Sequence, residues 1–256
     1  MPEVAAFTFG EVSTGTLILV ALVAYLSSVV GGLAGSGVSM LMMPLLVPLV
    51  GIKGIVPVIS VAMLAGSTSR LWVFRHSVEW PVVRRILTGS IAGAVIGVAI
   101  YDWLPAKALY FLIGGFILLA VPARRIFERN NRQLSGGPGV TAGLGLGYGV
   151  ISGSLSGGGP ILVAILLGMG IKGAGIVGTK AGISIVMHSV KTLAFGAFGL
   201  LDIEILLAAA LIGVCTLPGA YTAKWLVERM GLRVHTYIIE GAIMIGGIFV
   251  LWQGFV

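Results

Sequence analysis

Charge is scarce in this chain. Lys and Arg total 16 and Asp and Glu total 9 among 256 residues, which is 10% charged, against about 25% in a soluble domain. Cysteine is scarcer still: Cys215 stands alone inside an apolar run, so an intrachain disulfide and a cysteine metal site are both excluded. Neither a P-loop pattern nor an HExxH pattern occurs, which leaves an ATP-driven pump and a zinc protease without support. The first fifteen residues hold Glu3 and Glu11 but no Lys or Arg. That is a poor n-region for a signal peptide, so the chain reads as mature.

What is abundant is apolar surface. Apolar residues make up 57% and mean hydropathy is +1.09. These values indicate an integral membrane protein with no separate soluble domain. Glycine, at 40 residues, shows no collagen period. In a bilayer it lets helices approach closely and lets the chain break where it lines a cavity. The net charge of +7 lies mostly between apolar runs, the pattern of cytoplasmic loops, so no nucleic acid partner is expected.

A membrane helix needs about 20 apolar residues. Val12 to Ile52 and Gln133 to Ile171 are uncharged for far longer, and each carries a Gly/Ser break near its middle: Gly31-Gly32-Leu33-Ala34-Gly35-Ser36-Gly37 and Ser152-Gly153-Ser154-Leu155-Ser156-Gly157-Gly158-Gly159-Pro160. Each is expected to be a helix, a break and a shorter helix. Ordinary spans are expected at about 55–74, 82–101, 107–123, 175–198, 205–223 and 234–254. Gly89, Gly93 and Gly97 sit four apart on one of them, a small-xxx-small packing face.

The chain also repeats. Gly51-Ile52-Lys53-Gly54 recurs as Gly170-Ile171-Lys172-Gly173, and Ile113-Gly114-Gly115 recurs as Ile245-Gly246-Gly247. This divides it into a first repeat (1–123), a cytoplasmic connecting loop (124–137) and a second repeat (138–256). If each broken pair enters and returns to the same side, then Arg75, Arg84, Arg85, Arg124, Arg125, Arg129, Arg132, Lys172, Lys224, Arg229 and Arg233 share one side. The other side keeps Lys53, Lys107 and several acids. The positive-inside rule prefers that arrangement to one in which each pair is a single long span. Each half then has an odd number of crossings and the second is inverted. The expected fold is an all-α polytopic membrane protein of two inverted repeats, each a broken, re-entrant helix pair plus three transmembrane helices, a secondary-transporter architecture.

The breaks are the first candidate site. A helix N-terminus after a break offers free N–H groups and partial positive charge to an anion, and Ser36, Ser154 and Ser156 add hydroxyls. Arg70, Lys180 and Lys191 are basic residues inside spans, with His188 between the two lysines and Glu240 as the acid placed within a span. A charge at that depth normally faces a cavity or a partner. An anionic substrate is expected to balance the cationic surplus. Snorkelling of Arg70 or Lys180 and pairing of a lysine with Glu240 are the structural alternatives. His188 and Glu240 are the candidates for proton coupling. Trp80, Trp103, Trp225 and Trp252 fall near span ends as interfacial anchors. An intramembrane serine protease needs Gly-x-Ser-Gly; here Ala34-Gly35-Ser36-Gly37 and Ser154-Leu155-Ser156-Gly157 lack the first glycine. The chain is not expected to be an enzyme.

Several motifs, in order, resemble the sulfite exporter TauE/SafE family, also described as a sulfonate uptake permease superfamily. They are Gly32-Leu33-Ala34-Gly35-Ser36-Gly37 followed by Pro44; Arg75-His76-Ser77-Val78-Glu79-Trp80; Ser156-Gly157-Gly158-Gly159-Pro160; and Gly199-Leu200-Leu201-Asp202. The resemblance covers nearly the whole chain. It implies a multi-pass protein of a bacterial inner membrane that transports a sulfur-containing anion, sulfite or an organosulfonate, with export the commoner direction. Lys180 departs from the family pattern, which more often has a small or polar residue after the threonine of Gly178-Thr179-Lys180-Ala181. Combined with the residue reading, the expected substrate contacts are Gly35, Ser36, Gly37, Arg70, Ser154, Ser156, Gly157, Gly158, Gly159, Thr179, Lys180 and Lys191. The expected partners are the small anion and the lipid bilayer, with a homodimer as an open option, and no cofactor or metal is expected. An anion channel of the same architecture and a carrier of another small organic anion are the alternatives.

Overall fold

Long apolar runs without strand-like alternation become helices. The computed structural model describes residues 14–34, 38–130, 137–155, 158–227, 244–245 and 247–255. Gly35, Ser36, Gly37, Ser156, Gly157 and Glu240 lie outside the described residues. The described residues contain helices and turns and no strand. The helices are α1 (Thr14–Ala34), α2 (Val38–Val73), α3 (Trp80–Trp103), α4 (Ala106–Asn130), α5 (Pro138–Leu155), α6 (Gly159–Gly168), α7 (Ala174–Ala197) and α8 (Ile203–Val227), with a further helical stretch at 247–253. Segments of α2, α3 and α8 (Val50–Val73, Trp80–Trp103 and Ile203–Ala223) are long and apolar enough to cross a bilayer. α4 runs through the basic stretch to Asn130, so most of that stretch is helix rather than loop.

Glycines at positive φ punctuate the helices, as only glycine does without strain. Gly51 (φ 64°) kinks α2, and Gly170 (φ 84°) and Gly173 (φ 55°) shape the turn between α6 and α7. These are the two Gly-Ile-Lys-Gly repeats. At the first, Lys53 Nζ donates to the carbonyls of Asp102 (2.8 Å) and Tyr101 (3.4 Å), closing the C-terminal end of α3. Gly199 (φ 70°) follows α7, and Asp202 Oδ1 accepts the Ile205 N–H at 2.7 Å. Gly199-Leu200-Leu201-Asp202 is therefore a helix stop followed by an N-cap.

The tightest pairing is α3 on α5. A Cβ added at Gly89, Gly93 or Gly97 would overlap the carbonyl oxygens of Ala142, Leu146 and Val150. Reciprocally, a Cβ at Gly145, Gly149 or Gly153 would press on the carbonyls of Ile86, Ser90 and Ala94. Residue numbers rise together, so the helices run parallel with backbones in contact. Lipid supplies no hydrophobic drive between helices, and such close packing replaces it. Cα–H···O contacts at this approach add about 0.5–1 kcal/mol each.

The directions of the other helices follow from their contacts. α8 runs parallel to α2: Gly213 packs against Ala62, Gly66 against Thr216, and Ser69 Oγ donates to the Leu217 carbonyl at 3.3 Å. α7 runs parallel to α3, through the Glu79 N–H donated to Thr179 Oγ1 (3.0 Å) and the packing of Gly182 on Val83. α2 and α7 are antiparallel. Gly178, early in α7, faces the Phe74 carbonyl just beyond α2, while Phe195, late in α7, packs on Tyr101, whose hydroxyl donates to the Ile52 carbonyl at 2.6 Å. One end of the bundle thus carries Arg75, Trp80 and Lys172, and the other carries Lys53 and Asp102.

α1 packs on α8: Tyr25 Oη lies 3.0 Å from Thr222 Oγ1, and Ser28 Oγ donates to the Thr216 carbonyl at 2.7 Å. α5 begins and α6 ends toward the Lys172 end of the bundle.

Two apolar clusters hold the bundle together. One joins α1, α2, the end of α3, α4, Phe195 and α8; the other joins Val83 and Ile86 of α3 with Tyr148, Leu162, Leu166, Ile183 and Met187. Outside them, Ile18, Leu119, Leu193, Val214 and Trp103 (84% exposed) present apolar surface. Such a surface suits lipid as solvent, and with the crossing helices it makes this a multi-pass membrane protein.

Candidate anion site

Where the two apolar clusters meet, α2 and α7 carry polar residues. On α2 the first cluster runs as far as Met63, and Ser67 and Arg70 follow. On α7 the second cluster runs to Met187 and the first resumes at Phe195; His188, Lys191 and Thr192 lie between. Lys180, Ser184, His188 and Lys191 follow helical spacing and share one face of α7.

Lys191 is 0% exposed and its Nζ donates to the Ser152 carbonyl at 3.2 Å. Ser152 is in the last turn of α5, where carbonyls have no partner within the helix. Lys191 therefore ties α7 to the end of the helix that leads into the second break, with a favourable dipole interaction. Across the break, Gly158 caps α6 and Gly159 is its first residue. A Cβ at Gly158 would stand 2.9 Å from the Tyr148 ring and 3.2 Å from Ser152 Cβ. The α6 N-terminus is thus held against α5 by a glycine. Ser154 Oγ donates to the Val150 carbonyl at 2.8 Å, so its proton is used within α5.

Arg70 folds back along α2. Its Nη2 and Nη1 lie 3.5 Å and 3.6 Å from the position a Cβ would take at Gly66, beside Thr216 of α8. Arg70, Lys180 and Lys191 all lie within electrostatic reach of the His188 ring. Arg70 Nη1, His188 Nδ1, Ser67 Oγ and Thr192 Oγ1 are buried without a hydrogen-bond partner. Buried polar atoms are nearly always paired, so four such atoms on two facing helices mark a place built for something else.

Of the expected contacts, the structure brings Ser154, Gly158, Gly159 and Lys191 together at the second break and sets Arg70, His188 and Lys180 around the same stretch of α7. Thr179, next to Lys180, is buried, and its Oγ1 accepts the Glu79 N–H at 3.0 Å, at the start of α3. Ser67, Thr192, Tyr148 and the Ser152 carbonyl were not anticipated. Ser67 lies one turn from Arg70 and Thr192 one turn beyond His188, a spacing that does not by itself mark a hydroxyl as unpaired. Among the described residues, no group of His, Cys, Asp and Glu is arranged to hold a metal.

A family model described as Sulfite exporter TauE/SafE matches residues 19–250. The chain belongs to the TauE/SafE family. The match spans both breaks, both Gly-Ile-Lys-Gly turns and the whole polar layer. No curated protein and no solved structure matches the chain. TauE/SafE is a family of membrane transporters, and in this member the buried cations lie between helices that cross the bilayer, not on a loop.

Proposed function

We infer that this TauE/SafE protein is a secondary transporter that carries a small sulfur oxyanion, sulfite or an organosulfonate, out across the bacterial inner membrane. The observation that carries the reading is the polar layer: Arg70 and His188, on facing helices beside Lys191, with Arg70 Nη1 and His188 Nδ1 buried and unpartnered. A cation in the bilayer interior costs about 2.5–3.5 kcal/mol or more. A bound anion offsets that cost and supplies the missing acceptors. The α6 N-terminus, with Gly158 and Gly159, adds free N–H groups and partial positive charge nearby. Membership of a family of sulfite exporters favours sulfur anions.

Inverted repeats are the architecture that fits alternating access. The parallel packing of α2 with α8 and of α7 with α3, and the antiparallel crossing of α2 with α7, support an inverted relation between two groups of helices. One is the later half of α2 with α3 and α4; the other is α7 with α8 and the 247–253 helix. Because α3 and α5 touch backbone to backbone, they move as one body, so the rocking units are not the two halves of the sequence. The basic end faces the cytoplasm by the positive-inside rule.

The test is counterflow of labelled sulfite into proteoliposomes, with sulfate, phosphate, methanesulfonate and acetate as competitors. Saturable counterflow blocked by sulfonate and not by phosphate is expected. Conductance without counterflow would make the protein a channel, and neither activity in folded protein would remove the substrate class.

A further inference from the structure

Hydroxyls on membrane helices ordinarily donate to a carbonyl about one turn back. Ser60 does so to Val56, Ser90 to Ile86, Ser154 to Val150 and Thr68 to Leu64. Ser67 and Thr192 are exceptions. Ser67 is 1% exposed, and neither its Oγ nor Thr192 Oγ1 has a partner. Ser67 precedes Arg70 by one turn on α2. Thr192 follows His188 by one turn on α7, next to Lys191. These hydroxyls therefore stand one turn from two further buried groups that lack partners, Arg70 Nη1 and His188 Nδ1.

We propose that Ser67 and Thr192 are specificity-determining residues of the anion site, donating to substrate oxygens alongside the charge of Arg70. Ser67 serves the guanidinium side of the site, and Thr192 serves the imidazole side. The donors come from two helices packed on each other, α2 and α7, rather than from one. That arrangement suits the three oxygens of a pyramidal sulfite or a sulfonate head. A planar carboxylate, with its lone pairs in a single plane, leaves a hydroxyl unpaired and is selected against. The inference rests on the transport reading above.

A structural role and a binding role separate cleanly. A hydroxyl that is buried without a partner destabilises the empty protein, so its removal does not lower stability. Its loss weakens a hydrogen bond to a charged ligand and costs about tenfold or more in affinity. Sulfite counterflow is measured for the wild type, Ser67→Ala, Thr192→Ala and the control Thr68→Ala, together with melting temperature without substrate. Expected is a half-saturation constant raised about tenfold in the first two variants, no change in the control, and melting temperatures at or above wild type. The preference for methanesulfonate over acetate as competitor shrinks in Ser67→Ala. Unchanged half-saturation in both variants overturns the inference and leaves the transport reading standing. A melting temperature that falls in step with affinity overturns it in favour of packing. A wild type without sulfite counterflow overturns the transport reading and this inference with it.

Discussion

Gly93→Ala tests the α3–α5 pairing directly. A methyl at position 93 would overlap the Leu146 carbonyl oxygen and stand 2.9 Å from Val150 N and 3.1 Å from Gly149 Cα. All three are backbone atoms, so no side chain can swing away and the helices must separate. Separation also loosens the glycine contacts above and below. Overpacking of this kind costs about 1–3 kcal/mol. Gly143→Ala is the matched control. It lies on the same α5, and a Cβ there meets nothing within 4 Å, so the substitution is neutral or stabilising by up to about 1 kcal/mol through helix propensity. The two variants should therefore differ by about 1–4 kcal/mol, a gap on the order of 2–16 °C in melting temperature. Thermal unfolding of the purified protein in detergent reads it. Equal melting temperatures for the two variants would refute the backbone contact and the rigid pair built on it.

Three further outcomes are expected. Lys191→Met removes the donor to the Ser152 carbonyl while keeping most of the side-chain volume, and sulfite flux should fall by about 10–100-fold with the protein still folded; normal flux would take Lys191 out of the site. Gly158→Leu drives a side chain into Tyr148 and Ser152 at the head of α6 and should abolish counterflow, whereas a transporting variant would reduce the second break to packing. Asp202→Ala removes the cap on the Ile205 N–H and should cost about 1 kcal/mol of stability with the competitor profile unchanged; an altered profile would give Asp202 a role beyond the cap.

Much of the fold was legible because the bilayer imposes one strong constraint. The expected spans at 82–101, 175–198 and 205–223 match α3, α7 and α8 closely, and the glycine face at 89, 93 and 97 is a packing face. What charge and repeat do not supply is the pairing of the helices: that α1 packs on α8 rests on the contacts of Tyr25 and Ser28 with Thr222 and Thr216, which no period in the sequence marks.

The site was legible in its charges and illegible in its hydroxyls. Arg70, His188 and Lys191 are conspicuous in apolar runs because ionisable groups at that depth need a reason. Ser67 and Thr192 are not, because serine and threonine usually satisfy themselves on their own helix; only the facing of α2 and α7 shows that these two do not. Thr179 has a second role that its place in the sequence does not show: its hydroxyl oxygen accepts the Glu79 N–H at the start of α3.

The central claim is that the layer between α2 and α7 is the anion site, with Arg70 as its main charge. Equilibrium binding of labelled sulfite to purified wild type and Arg70→Gln, each checked for folding, addresses it most directly. The account predicts saturable binding by the wild type that is lost in Arg70→Gln. Equal binding by both proteins would contradict it, and the anion would then have to be sought away from this layer.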